Sequence, residues 1–311
     1  MVKTRGFGKV KTKSRYEGTK MFNIVTRTWN PVVGCSHLCT FCWCRRFAET
    51  RLRHIPYYKD FTNPKLVPKR FNEVFKPGEF VFVVDMGDLF CEVVPSKWIE
   101  MVINHVKKFS ETTFLFLTKN PRRYLEFIND FPSNAVLGVT IETNRDDLVK
   151  YFTKAPLPSW RFEAMISVKV VRPELRRFLS IEPIFDFDLD IFTKWVIELE
   201  PWLIYIGYDN YNNHLPEPHL DKVRKFIEIL KDHGFTVLEK TIRKAWWEGK
   251  YVNPVFIDNE MCIQQDEEGR FWYCCEYNEA ERDYTFMRKI LYCSKGVKKK
   301  EDLDECYIEN I

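Results

Sequence analysis

A chain of 311 residues, 45% hydrophobic and 30% charged, can bury a sizeable core as one large domain or as one domain with an extension. Its net charge of +4 does not by itself announce a nucleic-acid binder, and no apolar run reaches the roughly 18 residues that a membrane span needs. Ten cysteines without an apolar secretory stretch behind the basic N-terminus point to free thiols in a reducing cytoplasm rather than to a disulfide framework.

Residues 1–20 form a basic arm: Lys3, Arg5, Lys9, Lys11, Lys13, Arg15 and Lys20 stand against the single acid Glu17. Gly6, Gly8 and Gly18 argue against a stable helix, so the arm is either a phosphate-touching segment or a solvated terminus. Met21–Gly34 alternates as a first strand and its approach would. Cys35, Cys39 and Cys42 then stand in the order C-x-x-x-C-x-x-C. Thiolates are soft ligands, and this spacing lets one short loop wrap a metal centre while leaving a fourth position open. A zinc site completed by Cys44 or His37 is an alternative, as is a set of ordinary reduced thiols, although zinc loops more often pair C-x-x-C units.

Beyond the loop, Trp43–His54 reads as a helix with a charged face, and 56–77 as connection. Phe80–Val84 is a continuous apolar run, as in a strand buried on both faces of a parallel sheet, and it ends in Asp85-Met86-Gly87-Asp88. A helix is predicted over Ser96–Phe109, a strand over Thr113–Leu117 and a helix from Pro121 to about Asn129. Ala135–Ile141 is a strand ending at Glu142, and a polar turn with a helical region fills 145–172. Arg177–Ile181 and Trp202–Ile206 are strands ending at Glu182-Pro183 and Gly207-Tyr208, and Glu217–His233 is an amphipathic helix closed by Gly234. Six β/α units over Met21–Lys240 imply a parallel sheet with right-handed crossovers, whose C-terminal strand ends carry the chemistry.

The cysteine spacing resembles the signature of the radical S-adenosylmethionine (radical SAM) superfamily. Asn30-Pro31…Cys35, Asp88-Leu89-Phe90, Leu117-Thr118-Lys119-Asn120-Pro121 and Ser180-Ile181-Glu182-Pro183 look like its phage-type branch of largely unassigned function, related more distantly to spore photoproduct lyase, which repairs DNA. The resemblance implies a partial (β/α)6 TIM-like barrel over 21–242. It also implies a 4Fe–4S cluster on Cys35, Cys39 and Cys42, with SAM on the fourth iron and Phe41 near the adenine. Met86, Gly87 and Asp88 stand where that family binds the SAM amino group, through backbone carbonyls that Gly lets a ligand approach. Glu142, Ser180, Glu182, Ile206 and Gly207 fall at strand ends that the family uses for the ribose, methionine and adenine parts. Lys119 is a candidate for a phosphate or the SAM carboxylate. The branch tends to have His where this chain has Cys91, which is either a hydrogen-atom donor, as a strand-end thiol is in the repair relative, or a small buried residue.

From about Arg243 the β/α rhythm stops. Residues 243–311 form a Cys- and aromatic-rich extension with short strands or hairpins, expected to cap the barrel and help select substrate. Cys262, Cys274, Cys275, Cys293 and Cys306 are either ligands of an auxiliary Fe–S cluster or ordinary buried cysteines. Trp246, Trp247, Tyr251, Phe256, Phe271, Trp272, Tyr273 and Tyr277 are base-stacking rings or the core of the extension. The leading expectation is a radical SAM enzyme that abstracts hydrogen from a nucleic acid, tRNA or DNA, with a flavodoxin or ferredoxin as electron donor. The alternatives are the same chemistry on a peptide or small metabolite, and a zinc-binding nucleic-acid module without enzymatic activity.

Overall fold

A computed structural model describes residues 21–248 without a break and, after them, the backbone of short strands between Pro254 and Asn310. The basic arm 1–20, Tyr251, the acidic run 266–268, the lysine run 298–300, Cys293 and Cys306 lie outside the described residues.

The chain divides into two compact units. The first runs to Ile141 and adds Lys150–Ser180 and Glu198–Leu203; the second takes Glu142–Val149, Ile181–Ile197 and Ile204–Ile311. Seven strands make the main sheet: β1 Arg27–Trp29, β4 Phe80–Val83, β5 Thr113–Thr118, β6 Ala135–Thr140, β7 Arg176–Ile181, β8 Leu203–Ile206 and β9 Val237–Glu239, hydrogen-bonded in that order. Two short strands, β2 Val32–Val33 and β3 Lys65–Leu66, form a separate antiparallel pair. Pairing is parallel from β1 through β7 and again between β8 and β9. This is the mixed α/β topology of a partial TIM-like β/α barrel. The six strands expected from the sequence are present, and β9 adds a seventh that its three residues were too short to announce.

The apolar runs become strands because each is covered on both faces. Every residue of β6 and of β8 is buried. The register aligns Trp29 with Val83, Val83 with Phe116 and Phe116 with Leu137, so large side chains stack across neighbouring strands. The helices are α1 Trp43–Thr50, α2 Ser96–Val106, α3 Asp146–Val149, α4 Pro158–Val171, α5 Leu189–Leu199 and α6 Leu220–Asp232. In α6, Val223, Phe226, Ile227 and Leu230 are buried, as the 3.6-residue period requires, and Gly234 closes the helix at φ +84°.

Several expected boundaries move. Pro121–Phe127 is a 3-10 helix rather than an α-helix, anchored by the buried Tyr124, whose single hydroxyl hydrogen is offered to the Gly138 carbonyl at 2.8 Å, with the Phe116 carbonyl at 3.1 Å as the alternative acceptor. The first strand shrinks to three residues because the chain turns at Asn30-Pro31 to form β2. Glu217 is not helical. It is 1% exposed, and it accepts both terminal nitrogens of Arg243 at 2.7 and 2.8 Å and the Trp246 N–H at 2.9 Å. That network fastens 243–248 to the second unit, so Trp246 and Trp247 are used there: their indole N–H groups donate to the Leu215 and Glu217 carbonyls. After residue 248 the order β10 Pro254–Ile257, β11 Met261–Gln265, β12 Phe271–Cys275, β15 Lys289–Tyr292 and β16 Tyr307–Asn310 forms a five-stranded antiparallel sheet, with β13 Tyr277–Asn278 and β14 Asp283–Tyr284 as a separate pair. No described helix is long and apolar enough to cross a membrane.

Candidate functional site: the cysteine loop and its backbone clamp

The loop leaves the C-terminal end of β1 and is held by the turn that leaves the C-terminal end of the neighbouring β4. Asn30 makes the first tie: its side chain donates to Asp85 and accepts from the Met86 N–H. Gly34 makes the second. It pairs with Gly87 as an isolated parallel bridge, donating its N–H to the Met86 carbonyl at 3.0 Å and accepting the Asp88 N–H at 3.2 Å. Gly34 has φ +100°, and a Cβ on Gly87 would lie 2.5 Å from the Gly34 carbonyl oxygen. Both glycines are therefore required by the backbone. Gly87→Ala is expected to cost about 1–3 kcal/mol through forced separation of the two turns, read as a lower chemical-denaturation midpoint with unchanged m-value.

The rest of the loop is fixed from the other side. Thr40 donates its N–H to the Phe152 carbonyl, Lys154 donates to the His37 carbonyl, and the Thr153 hydroxyl donates to that same carbonyl. Cys42 is the N-cap of α1, its sulfur accepting the Arg45 N–H at 3.3 Å. The His37 N–H points at the Cys35 sulfur at 3.4 Å.

Asp88 is the hub beneath the loop. Its carboxylate accepts from His37 Nε2 at 3.0 Å, the Thr118 hydroxyl at 2.7 Å, and the Lys119 and Phe90 N–H groups at 2.9 Å each. Burial pushes the carboxyl up, but the His37 charge and these hydrogen bonds outweigh it and hold the group below its ordinary value. The Asp88 side chain is thus committed to the protein. Of the two residues considered for completing a zinc site, His37 is turned to Asp88 and Cys44 bonds the Cys42 thiol. The part His37 plays had a signal in its position between two of the cysteines; the contribution of Thr118 and Thr153 had none.

No disulfide joins Cys35, Cys39, Cys42, Cys44 and Cys91. Each motif thiol has a partner of its own: Cys35 the Cys91 thiol, Cys39 the Thr153 hydroxyl at 3.1 Å, and Cys42 the Cys44 thiol. The hydrogen bond from Cys44, with the Arg45 N–H and charge, lowers the Cys42 thiol to about 6 despite burial. The bond with Cys91 and burial raise Cys35 well above the thiol range. As they stand, no three His, Cys, Asp or Glu side chains among the described residues form a ready metal site. The donor set nevertheless fits an Fe–S cluster: three sulfurs come from one clamped loop, and two already receive backbone N–H groups of the kind that stabilise a thiolate ligand. Gathering them on one cluster requires the thiols to turn from their present partners.

Around the loop, Phe41 is buried with the Lys119 ammonium 5.3 Å from its ring centroid, so these two predicted residues meet. Cys91 is fully buried. Ser180, at the end of β7, is also fully buried, and its hydroxyl has no hydrogen-bond partner among the described residues. An orphaned buried hydroxyl is costly, and it fits a ligand that would satisfy it.

The second unit holds the remaining candidates. Glu142 is 0% exposed, and Arg145 nearby in sequence pairs with Asp186 and Asp188. Glu182 pairs with Lys240 at 2.7 Å. Burial raises the Glu182 carboxyl, with the ammonium opposing that shift. Ile206 is buried at the end of β8, and the Gly207 N–H donates to the Ile181 carbonyl, with room for little more than hydrogen at its Cα: a Cβ would stand 3.2 Å from that of Lys240.

The fold and loop together define an α/β protein with a three-cysteine segment at the C-terminal edge of a parallel sheet. The chain belongs to the family described as "Protein of unknown function (DUF5131)", whose model matches residues 20–198. No curated protein matches it. Among solved structures it is similar to a spore photoproduct lyase with bound AdoMet and dinucleoside spore photoproduct, at 12% identity over 83% of this chain and 69% of that one, TM-score 0.45. It is likewise similar to SuiB of Streptococcus suis, at 10% identity over 69% of this chain and 49% of that one, TM-score 0.45.

Proposed function

We propose that this protein is a radical SAM enzyme that abstracts hydrogen from a nucleic acid, tRNA or DNA. The supporting observation is the C-x-x-x-C-x-x-C loop at the C-terminal end of β1, clamped to the Gly87 turn after β4. Cys35, Cys39 and Cys42 hold the cluster. Bound there, a 4Fe–4S cluster with SAM supplies reductive cleavage to methionine and a 5′-deoxyadenosyl radical, which takes a hydrogen atom from the substrate.

The chain's own residues position the reactants. Met86, Gly87 and Asp88 offer carbonyl oxygens to the SAM ammonium, and the Asp88 carboxylate keeps that turn in place. Phe41 lies beside the adenine, and Lys119, held over that ring, offers its charge to the methionine carboxylate. Ser180 offers its hydroxyl. Glu142, Glu182, Ile206 and Gly207 of the second unit serve the ribose, methionine and adenine parts. Cys91 is assigned as a hydrogen donor to the substrate radical. The 243–311 extension is assigned to substrate selection, and a flavodoxin or ferredoxin to electron supply. The iron count of the reconstituted protein tests for an auxiliary cluster on the C-terminal cysteines.

Anaerobic reconstitution with iron and sulfide, then reduction with SAM and mass spectrometry, tests this. The expected result is a brown protein that forms 5′-deoxyadenosine. A colourless protein that holds zinc and leaves SAM intact overturns the proposal in favour of a zinc module.

A further inference from the structure

Residues 45–70, which follow the cysteine loop, carry eight Lys or Arg against two acids, a net +6, whereas the whole chain carries +4. Residues 1–20 carry a further net +6, so the rest of the chain sums to −8, and within the described residues the stretch 45–70 stands out as basic. The stretch is built onto the loop. Cys44 and Ala48 on the inner face of α1 pack with Phe61 and Met86, and Cys35 and Cys42 lie against the same cluster.

That packing turns the cations outward. Arg51, Arg53, Lys59 and Lys69 are exposed, and no acid stands within ion-pair distance of them among the described residues. Arg45 is tied to Glu49 at 3.9 Å and Arg70 to Glu73 at 2.8 Å, so those two charges are partly spent. Aromatic rings are interleaved: Phe47, Tyr57 and Tyr58 are half-buried, and the Arg51 guanidinium lies 5.7 Å from the Phe47 ring centroid. Unpaired cations track phosphates, and ring faces between them take unstacked bases. A lipid surface calls instead for a continuous apolar face beside the charge, which this stretch turns inward.

We propose that Arg51, Arg53, Lys59 and Lys69, with Phe47 and Tyr57, form a docking surface for single-stranded nucleic acid beside the cysteine loop. The surface deepens the functional reading above and rests on it for its purpose, since it places a strand next to the loop that holds the cluster. It also assigns nucleic-acid contact to a part of the chain outside the basic arm and the aromatic extension.

The test uses the full-length reconstituted protein and a fluorescein-labelled single-stranded oligonucleotide, read by anisotropy over a salt series. The triple variant Arg53→Glu, Lys59→Glu, Lys69→Glu is expected to bind at least about tenfold more weakly, with the slope of log K against log salt reduced by about two. The variant Arg53→Lys, Lys59→Arg, Lys69→Arg is expected to keep the wild-type affinity, and melting curves of both report whether the fold is intact. Equal affinity and slope for wild type and the folded reversal variant overturns the surface, as does preference for a duplex, acidic lipid vesicles or polyglutamate at equal charge. Should the reversal variant not fold, the corresponding Gln triple is read against the same criteria. Wild-type SAM cleavage is measured separately without nucleic acid. Cleavage with no binding overturns the surface alone, whereas binding through the surface with no iron and no cleavage overturns the radical SAM reading and leaves the surface standing.

Discussion

Replacing Cys35, Cys39 or Cys42 by Ala is expected to abolish both the Fe–S absorption band and 5′-deoxyadenosine formation, each variant falling to the level of a no-enzyme control. The physical reason is ligand count. Three thiolates from one loop are the whole protein contribution to the proposed cluster, and removal of one leaves two. Loop folding is not at stake in the same way, because the clamp runs through the backbone of Gly34, Asp88, Thr40 and Lys154 and through Asn30. Each Ala variant is therefore expected to melt close to wild type in the absence of iron, which separates ligand loss from unfolding. Cys44→Ala is the control. Its sulfur lies 3.1 Å from the Asp85 carbonyl and is buried, so its loss costs packing and a hydrogen bond, of order 1 kcal/mol, while iron content stays at the wild-type value. Loss of iron from Cys44→Ala alone, with Cys35→Ala still loaded, would mean that the ligand set is wrong.

Asp88→Ala is the variant expected to damage the fold most. Four donors converge on this carboxylate from three segments: His37 in the cysteine loop, Phe90 in its own turn, and Thr118 and Lys119 at the end of β5. Truncation leaves them unpaired in a site that is 5% exposed at Asp88 and at His37. A loss of about 3–5 kcal/mol is expected, the range for breaking a buried charged network by removing one partner. Asp88→Asn keeps the shape and loses the charge, so it should fall between the two. The pH dependence follows from the direction of the shift. The carboxyl is held below its unfolded value, so its stabilisation is complete above about pH 4. It is lost as pH falls through the lower, folded value. The stability gap between wild type and Asp88→Asn should therefore be constant near neutrality and close on acidification below about pH 4. Urea midpoints of the two proteins over that range measure it, and a gap that persists at low pH would show that Asp88 acts by shape alone.

Much of the fold was legible in one dimension because its signals are local. Phe80–Val83 and Ala135–Thr140 read as buried strands from unbroken apolar runs, and the α6 face read from its period. The short strand β9 and the helix α5 were not read, since three residues give no period and the connection before α5 alternates Ile184, Phe185 and Phe187 with Asp186 and Asp188 instead of marking a helix start. Charged residues inside the core misled in another way. Glu217 looked like a helix start, and Arg177 like an ordinary strand residue. In the fold, Glu217 is buried under Arg243, and Arg177 donates to the carbonyls of Leu175 and Leu199. Nothing adjacent in sequence announces a partner 26 or 22 residues away.

The sequence by itself determined the presence of three soft sulfurs at a spacing one loop can present, and the order of strands that puts this loop on a parallel sheet. It could do so because residue type, spacing and hydrophobic period are properties of neighbouring positions. Only the tertiary structure decided how the loop is held. The contact of Gly34 with Gly87, the convergence of His37, Thr118 and Lys119 on Asp88, and the inward packing that turns the 45–70 cations to solvent all join residues roughly 15–55 positions apart. Such contacts form only when backbone groups and charges from distant segments are buried together and must satisfy one another.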